Sequence, residues 1–148
     1  MRQHRLKWLA VAAALAVAVP AGYAMTSGQT PGGVDFIIGG IGFDELAQMT
    51  AGTATHSLSL RLAARGTGAY LADVVVRITD ASGRQVFDGR LDAPWLLISL
   101  PPGRYRIAAV YEGQVERAEA VVPAHGHRSV VMRFPADTGL KLAPGEAP

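Results

Sequence analysis

His56-Ser57-Leu58-Ser59-Leu60-Arg61-Leu62 carries leucine at every second position, with serine or arginine between. Side chains of an extended strand alternate between two faces, so this stretch reads as a strand with one face buried. Gly66-Thr67-Gly68 ends it. Residues 71–79 follow as a strand with Val74, Val76 and Ile78 on one face, and Asp80-Ala81-Ser82-Gly83 is turn chemistry. Residues 85–90 make a short strand. Pro94 opens the next, over 95–100, and Pro101-Pro102-Gly103 closes it. Tyr105, Ile107, Ala109 and Tyr111 alternate with Arg104, Arg106, Ala108 and Val110. Glu112-Gly113 makes a tight hairpin into 114–122, and 128–134 is the last strand. Short strands at regular spacing with turn signals between them predict an all-β fold, a seven-stranded antiparallel sandwich over residues 56–135.

Upstream, residues 25–55 read as a linker and a short helical segment. Pro31-Gly32-Gly33 has linker composition. Asp44 is the expected N-cap of a short N-terminal helix to about Thr50, with Phe43, Leu46 and Met49 on its apolar side. Two strands are apolar on both faces: Val74-Val75-Val76 and Trp95-Leu96-Leu97-Ile98. The faces carrying Val75, Leu96 and Ile98 want cover, and the apolar segment 36–49 is the cover the chain itself offers. Residues 136–148 read as a flexible tail.

Residues 1–24 have the layout of a secretory signal peptide. Arg2, Arg5 and Lys7 form a positive start, residues 8–19 an apolar run, and Gly22-Tyr23-Ala24 a small-residue cleavage site. The rival reading is a retained anchor, but a membrane-spanning helix wants about 20 apolar residues. The expected location is therefore periplasmic or secreted, with membrane contact only through the signal segment before cleavage. The whole chain carries +2, from 14 Lys and Arg against 12 Asp and Glu. Without residues 1–24 it carries −1, with its arginines scattered singly. That balance argues against a nucleic-acid partner. Hydrophobic residues at 49% and charged residues at 18% argue against disorder throughout. With no cysteine, the chain has no disulfide, thiolate nucleophile or cysteine metal site, so its core must stabilise it.

Residues 71–83, Leu-Ala-Asp-Val-Val-Val-Arg-Ile-Thr-Asp-Ala-Ser-Gly, resemble the opening strand and turn of carboxypeptidase regulatory-like domains, which are small transthyretin-like (prealbumin-like), Ig-like sandwiches. Leu100-Pro101-Pro102-Gly103-Arg104-Tyr105 followed by Gly113 is similar to their Leu-Pro-Pro-Gly-x-Tyr turn and strand. The run from Asp92 to Tyr105, and Gly39-Gly40-Ile41-Gly42-Phe43-Asp44-Glu45, resemble segments of small secreted proteobacterial proteins of unknown role. The resemblance covers residues 39–134 and implies a fold more than a function. It places Trp95 where these domains carry an inward Phe, with Leu97 on the same face.

No catalytic, cofactor-binding or metal residue is assigned from the sequence, and no cofactor is expected. Transthyretin-like folds include 5-hydroxyisourate hydrolase, which ends in Tyr-Arg-Gly-Ser, whereas this chain ends in Pro-Gly-Glu-Ala-Pro. An internal Lys–Asn isopeptide bond is ruled out because the chain has no Asn, and after residue 24 its one lysine is Lys141. His125-Gly126-His127 lacks a nearby third ligand and reads as a hairpin turn. Gly39-Gly40-Ile41-Gly42 lacks the ending of a phosphate loop and reads as flexible linkage. Asp44 with Glu45 and Asp88 with Asp92 suit caps and strand ends, and Ser57, Ser59, Ser82, Ser99 and Ser129 sit in no nucleophile elbow.

The expectation is a non-enzymatic β-sandwich module with a binding or envelope-accessory role, its partner an envelope protein or a glycan. Carbohydrate recognition needs an exposed Trp95, Tyr70, Tyr105 or Tyr111; Trp95 and Tyr105 are expected to be buried. A small hydrolase needs a cleft joining His56 or His127 to an acidic residue.

Overall fold

The computed structural model describes residues 25–135; the expected signal peptide (1–24) and tail (136–148) lie outside them. Nine strands and one helix follow in order: β1 Thr26–Gln29, β2 Asp35–Gly39, α1 Phe43–Gly52, β3 Leu58–Ala64, β4 Val74–Asp80, β5 Gln85–Leu91, β6 Trp95–Ile98, β7 Gly103–Tyr111, β8 Gln114–Val122 and β9 Arg128–Phe134. They form a five-stranded sheet, β1-β2-β6-β3-β9, packed on a four-stranded sheet, β5-β4-β7-β8. The core between the sheets includes Leu58, Leu60, Leu62, Val76, Ile78 and Ile107, each 1% exposed or less.

The architecture is the expected all-β sandwich with nine strands instead of seven. The two additional strands come from the stretch read as linker. The Thr30 N–H donates to the Val34 carbonyl at a hairpin whose tip is Pro31-Gly32, the Gly33 N–H donates to the Thr30 carbonyl, and the Thr30 hydroxyl accepts from the Val34 N–H at 3.1 Å. The turn residues thus join two strands where linkage was expected. A Cβ at Gly28 would stand 3.1 Å from the Phe36 ring opposite it in the register, so the ring covers the glycine and fills its place. Gly39 lies in β2, paired with Trp95, and is part of the sheet.

The sheets are not wholly antiparallel. β9 pairs parallel to β3, Leu58 with Arg128 through Ala64 with Phe134. After β8, the turn at residues 123–127 carries the chain from the four-stranded sheet to the far edge of the five-stranded one, where it runs alongside β3.

The helix also departs from expectation. Its N-cap is Gly42, not Asp44, which lies in the first turn beside Glu45. The Glu45 carboxylate reaches back to accept the Ile41 N–H at 2.7 Å, and the two acids suit the positive end of the helix dipole. Phe43 is 92% exposed and Leu46 half-buried, while Met49 is buried. Met49 packs with Trp95 and Leu97 in a second, smaller core, joined at its margin by Met25, Ile37 and Leu46. The expected cover therefore exists, but over the opposite face of β6. Trp95 and Leu97 point out toward α1, and Leu96 and Ile98 point into the sandwich. With four successive apolar residues, nothing in the local pattern fixes which pair faces in. Val75 lies on the other sheet, half-buried and away from α1.

Candidate functional site

The sheet order leaves one side of the sandwich open. β1 and β5 are the end strands of their sheets, and Phe36 of β2 meets Phe87 of β5 edge-to-face, with ring centroids 5.4 Å apart. Between these edges lies a cleft of about 790 Å³. Val34, Phe36, Ile38, Val86 and Phe87 supply its apolar lining. Gln29, Arg84, Asp88 and Arg90 supply polar groups, and Gln29 donates to the Asp35 carboxylate at 2.7 Å. Ligand clefts typically measure about 300–1,000 Å³ with an apolar lining and a few polar groups. Val34, Phe36 and Val86 remain partly exposed there, and each flanking strand has one side without a β partner among the described residues. The core is incomplete along this side, next to two free backbone edges.

A polar cluster occupies the outer face of the five-stranded sheet. His127 Nδ1 donates to the His56 carbonyl at 2.6 Å. That fixes Nε2 of the neutral ring as the acceptor for the Ser59 hydroxyl at 2.8 Å, and Ser59 in turn accepts from Ser129 at 2.9 Å. The parallel β3–β9 register sets Ser59 opposite Ser129. Ser59 thus has the histidine partner of a nucleophile, but it is 0% exposed, and a reacting carbonyl has no access to it. A main-chain carbonyl, not an acid, orients the histidine. The arrangement joins His56 and His127 without forming the histidine–carboxylate cleft a hydrolase needs, and serves instead to hold β3 to β9. Ser57 does similar work: it accepts the Leu100 N–H at 2.8 Å and donates to the Leu100 carbonyl at 2.7 Å.

Trp95 is 3% exposed and Tyr105 is 5% exposed. The Tyr105 hydroxyl donates to the Pro101 carbonyl at 2.6 Å, the turn partner an inward tyrosine needs. Burial, with Asp80 nearby, pushes this phenol above its ordinary pKa, so it stays a donor. Tyr111 is half-buried, its ring 5.9 Å from that of Phe134, and its phenol is likewise raised by burial. Tyr70, at 50%, is the most exposed of these aromatics. The Arg61 guanidinium lies 3.8 Å over the Trp95 ring. Asp88 stands 3.6 Å from Arg77, and His125 is exposed in its turn. Asp80 closes its own turn, accepting from the Ser82 hydroxyl and from the Ser82 and Arg84 N–H groups, and the Ser82 hydrogen bond leads in holding its carboxyl below the usual range. Among the described residues no three His, Asp or Glu side chains gather as a metal site. Lys141 lies outside those residues.

No protein-family model matches the chain, and no curated protein matches it either.

The cleft and the Ser59–His127 pair were not visible in the sequence. Each needs a pairing between distant segments, β2 with β6 for the first and β3 with β9 for the second. The one local signal was serine at both 57 and 59 on the polar side of the leucine strand.

Proposed function

We propose that the chain is a secreted or periplasmic, non-enzymatic module of the carboxypeptidase regulatory-like type, and that it binds an extended segment of an envelope protein in the cleft between β1–β2 and β5. The cleft carries this reading: an apolar lining left partly uncovered between two free strand edges is what an added strand completes. Main-chain hydrogen bonds to an edge would supply affinity, and the lining at Phe36 and Val86 would select side chains. The aromatics a neutral sugar would stack on are largely engaged in packing, which favours a protein segment over a glycan.

A photo-crosslinking residue at Val86, in the cleft, tests this against the same residue at Tyr70, outside it. In envelope extract the Val86 position should give a discrete protein adduct that Phe36→Arg abolishes while the fold persists by circular dichroism. Equal labelling from both positions, or an adduct unaffected by Phe36→Arg, overturns the assignment.

A further inference from the structure

The outer face of the four-stranded sheet borders the cleft only at its β5 edge, through Asp88 and Arg90. Its layout follows from the strand registers. Arg77 of β4 stands opposite Ala108 of β7, and Ala108 opposite Arg117 of β8. One small methyl thus lies between two guanidinium side chains in a single row. Arg106 is the next outward residue along β7 and adjoins the same hollow, which measures about 500 Å³. The neighbouring row is Val75, Val110 and Val115.

The charge on this face is lopsided. Arg77, Arg90, Arg104, Arg106 and Arg117 share it with two acids, Asp88 and Glu119. The acids stand 3.6 Å from Arg77 and Arg106, whose side chains stay 59% and 78% exposed. Exposed pairs of this kind contribute little and exchange readily for another anion. Arg90, Arg104 and Arg117 have no carboxylate within ion-pair distance among the described residues. Val115 and Val121 are 47% and 49% exposed beside them.

Arginine forks match phosphate oxygens in pairs. A flat surface with such forks around a hollow and exposed valines beside them suits a partner that is anionic at its surface and apolar just beneath. Single-stranded nucleic acid would need aromatic platforms, and the outward positions of these strands carry none. We propose that the outer face of β4, β7 and β8 docks on an anionic lipid surface, with a headgroup phosphate held between Arg77 and Arg117 above Ala108 and with Val115 and Val121 against the lipid. This contact centres on β7 and β8, meets the cleft only at Asp88 and Arg90 of β5, and is separate from residues 1–24, so it extends the membrane role beyond the signal segment.

Vesicle co-sedimentation of the full chain tests it, using phosphatidylglycerol-containing vesicles against phosphatidylcholine vesicles. The chain should partition onto the anionic vesicles and come off at high salt. Each arginine near such a surface is worth about fivefold in partition, so Arg77→Ala/Arg117→Ala should lose more than tenfold. Ala108→Glu, which adds a second carboxylate to the hollow that Glu119 already borders, should lose as much with every arginine kept. Melting temperatures confirm that the variants fold. Equal partition onto both vesicle types, or onto anionic vesicles by wild type and both variants, assigns binding to residues 1–24 and overturns the proposal. Retention on a sulfated polysaccharide without partition onto anionic vesicles assigns the face to an acidic glycan and overturns it equally.

Discussion

On the outer face of the five-stranded sheet, Trp95 and Leu97 lie 3% and 0% exposed beneath α1; on the outer face of the four-stranded sheet, Val115 and Val121 lie half in water among arginines. The strands beneath the two faces differ in pattern. β6 is apolar at all four positions, so whichever pair faces out must be covered. β7 and β8 alternate, and their outward residues are mostly arginine, glutamate and small apolar groups that tolerate solvent. The helix sits where the sequence leaves an apolar surplus. Gly52 shows how close it sits: a Cβ there would come within 2.6 Å of Leu97 Cδ1.

The contrast breaks most directly at Trp95. Trp95→Ala should cost about 3–5 kcal/mol, a large part of the ~5–15 kcal/mol typical of a domain, and urea denaturation measures it. A small loss would mean that α1 rests on the sheet without sealing it. His127→Ala tests the polar part of the same covered face. It strips the Ser59 hydroxyl and the His56 carbonyl of a partner and should cost about 1–3 kcal/mol, whereas His125→Ala, in the exposed turn, should leave the midpoint in place. The smallest effect belongs to the open face: Arg77→Ala and Arg117→Ala should each stay within about 0.5 kcal/mol in the same assay.

The seven strands from β3 to β9 were legible because turn chemistry bounds them and most carry a two-residue period, as Leu58, Leu60 and Leu62 do before Gly66; β6, apolar throughout, was marked by Pro94 and Pro101-Pro102 alone. The burial of Tyr105 was legible from its shared parity with Ile107 and Ala109 and its hydroxyl partner from the neighbouring turn, whereas Trp95 is buried as expected but beneath α1 and not between the sheets. β1 was not, because Thr, Ser, Gly and Gln give no alternation, nor was β2, because Phe36-Ile37-Ile38 is an unbroken apolar run and Pro31-Gly32 looks alike in a linker and in a hairpin. The orientation of β6 was misread for want of a polar residue to mark its outer side. The exposure of Phe43 has a different cause: with the helix capped at Gly42 and not at Asp44, Phe43 stands at the first helical position, and Met49 alone of the three apolar residues is buried. The open cleft and the serine–histidine cluster are properties of pairings that no local window contains.

The parallel union of β3 and β9 has a consequence in time. Ser59 meets Ser129 across 70 positions of chain, and closing so long a loop carries an entropy cost before any contact offsets it. β3 acquires its last neighbour only when the final strand arrives, so a chain halted before Arg128 keeps that edge bare and Leu58, Leu60 and Leu62 short of full enclosure. The finished sandwich therefore forms only once Arg128–Phe134 can pair with Leu58–Ala64.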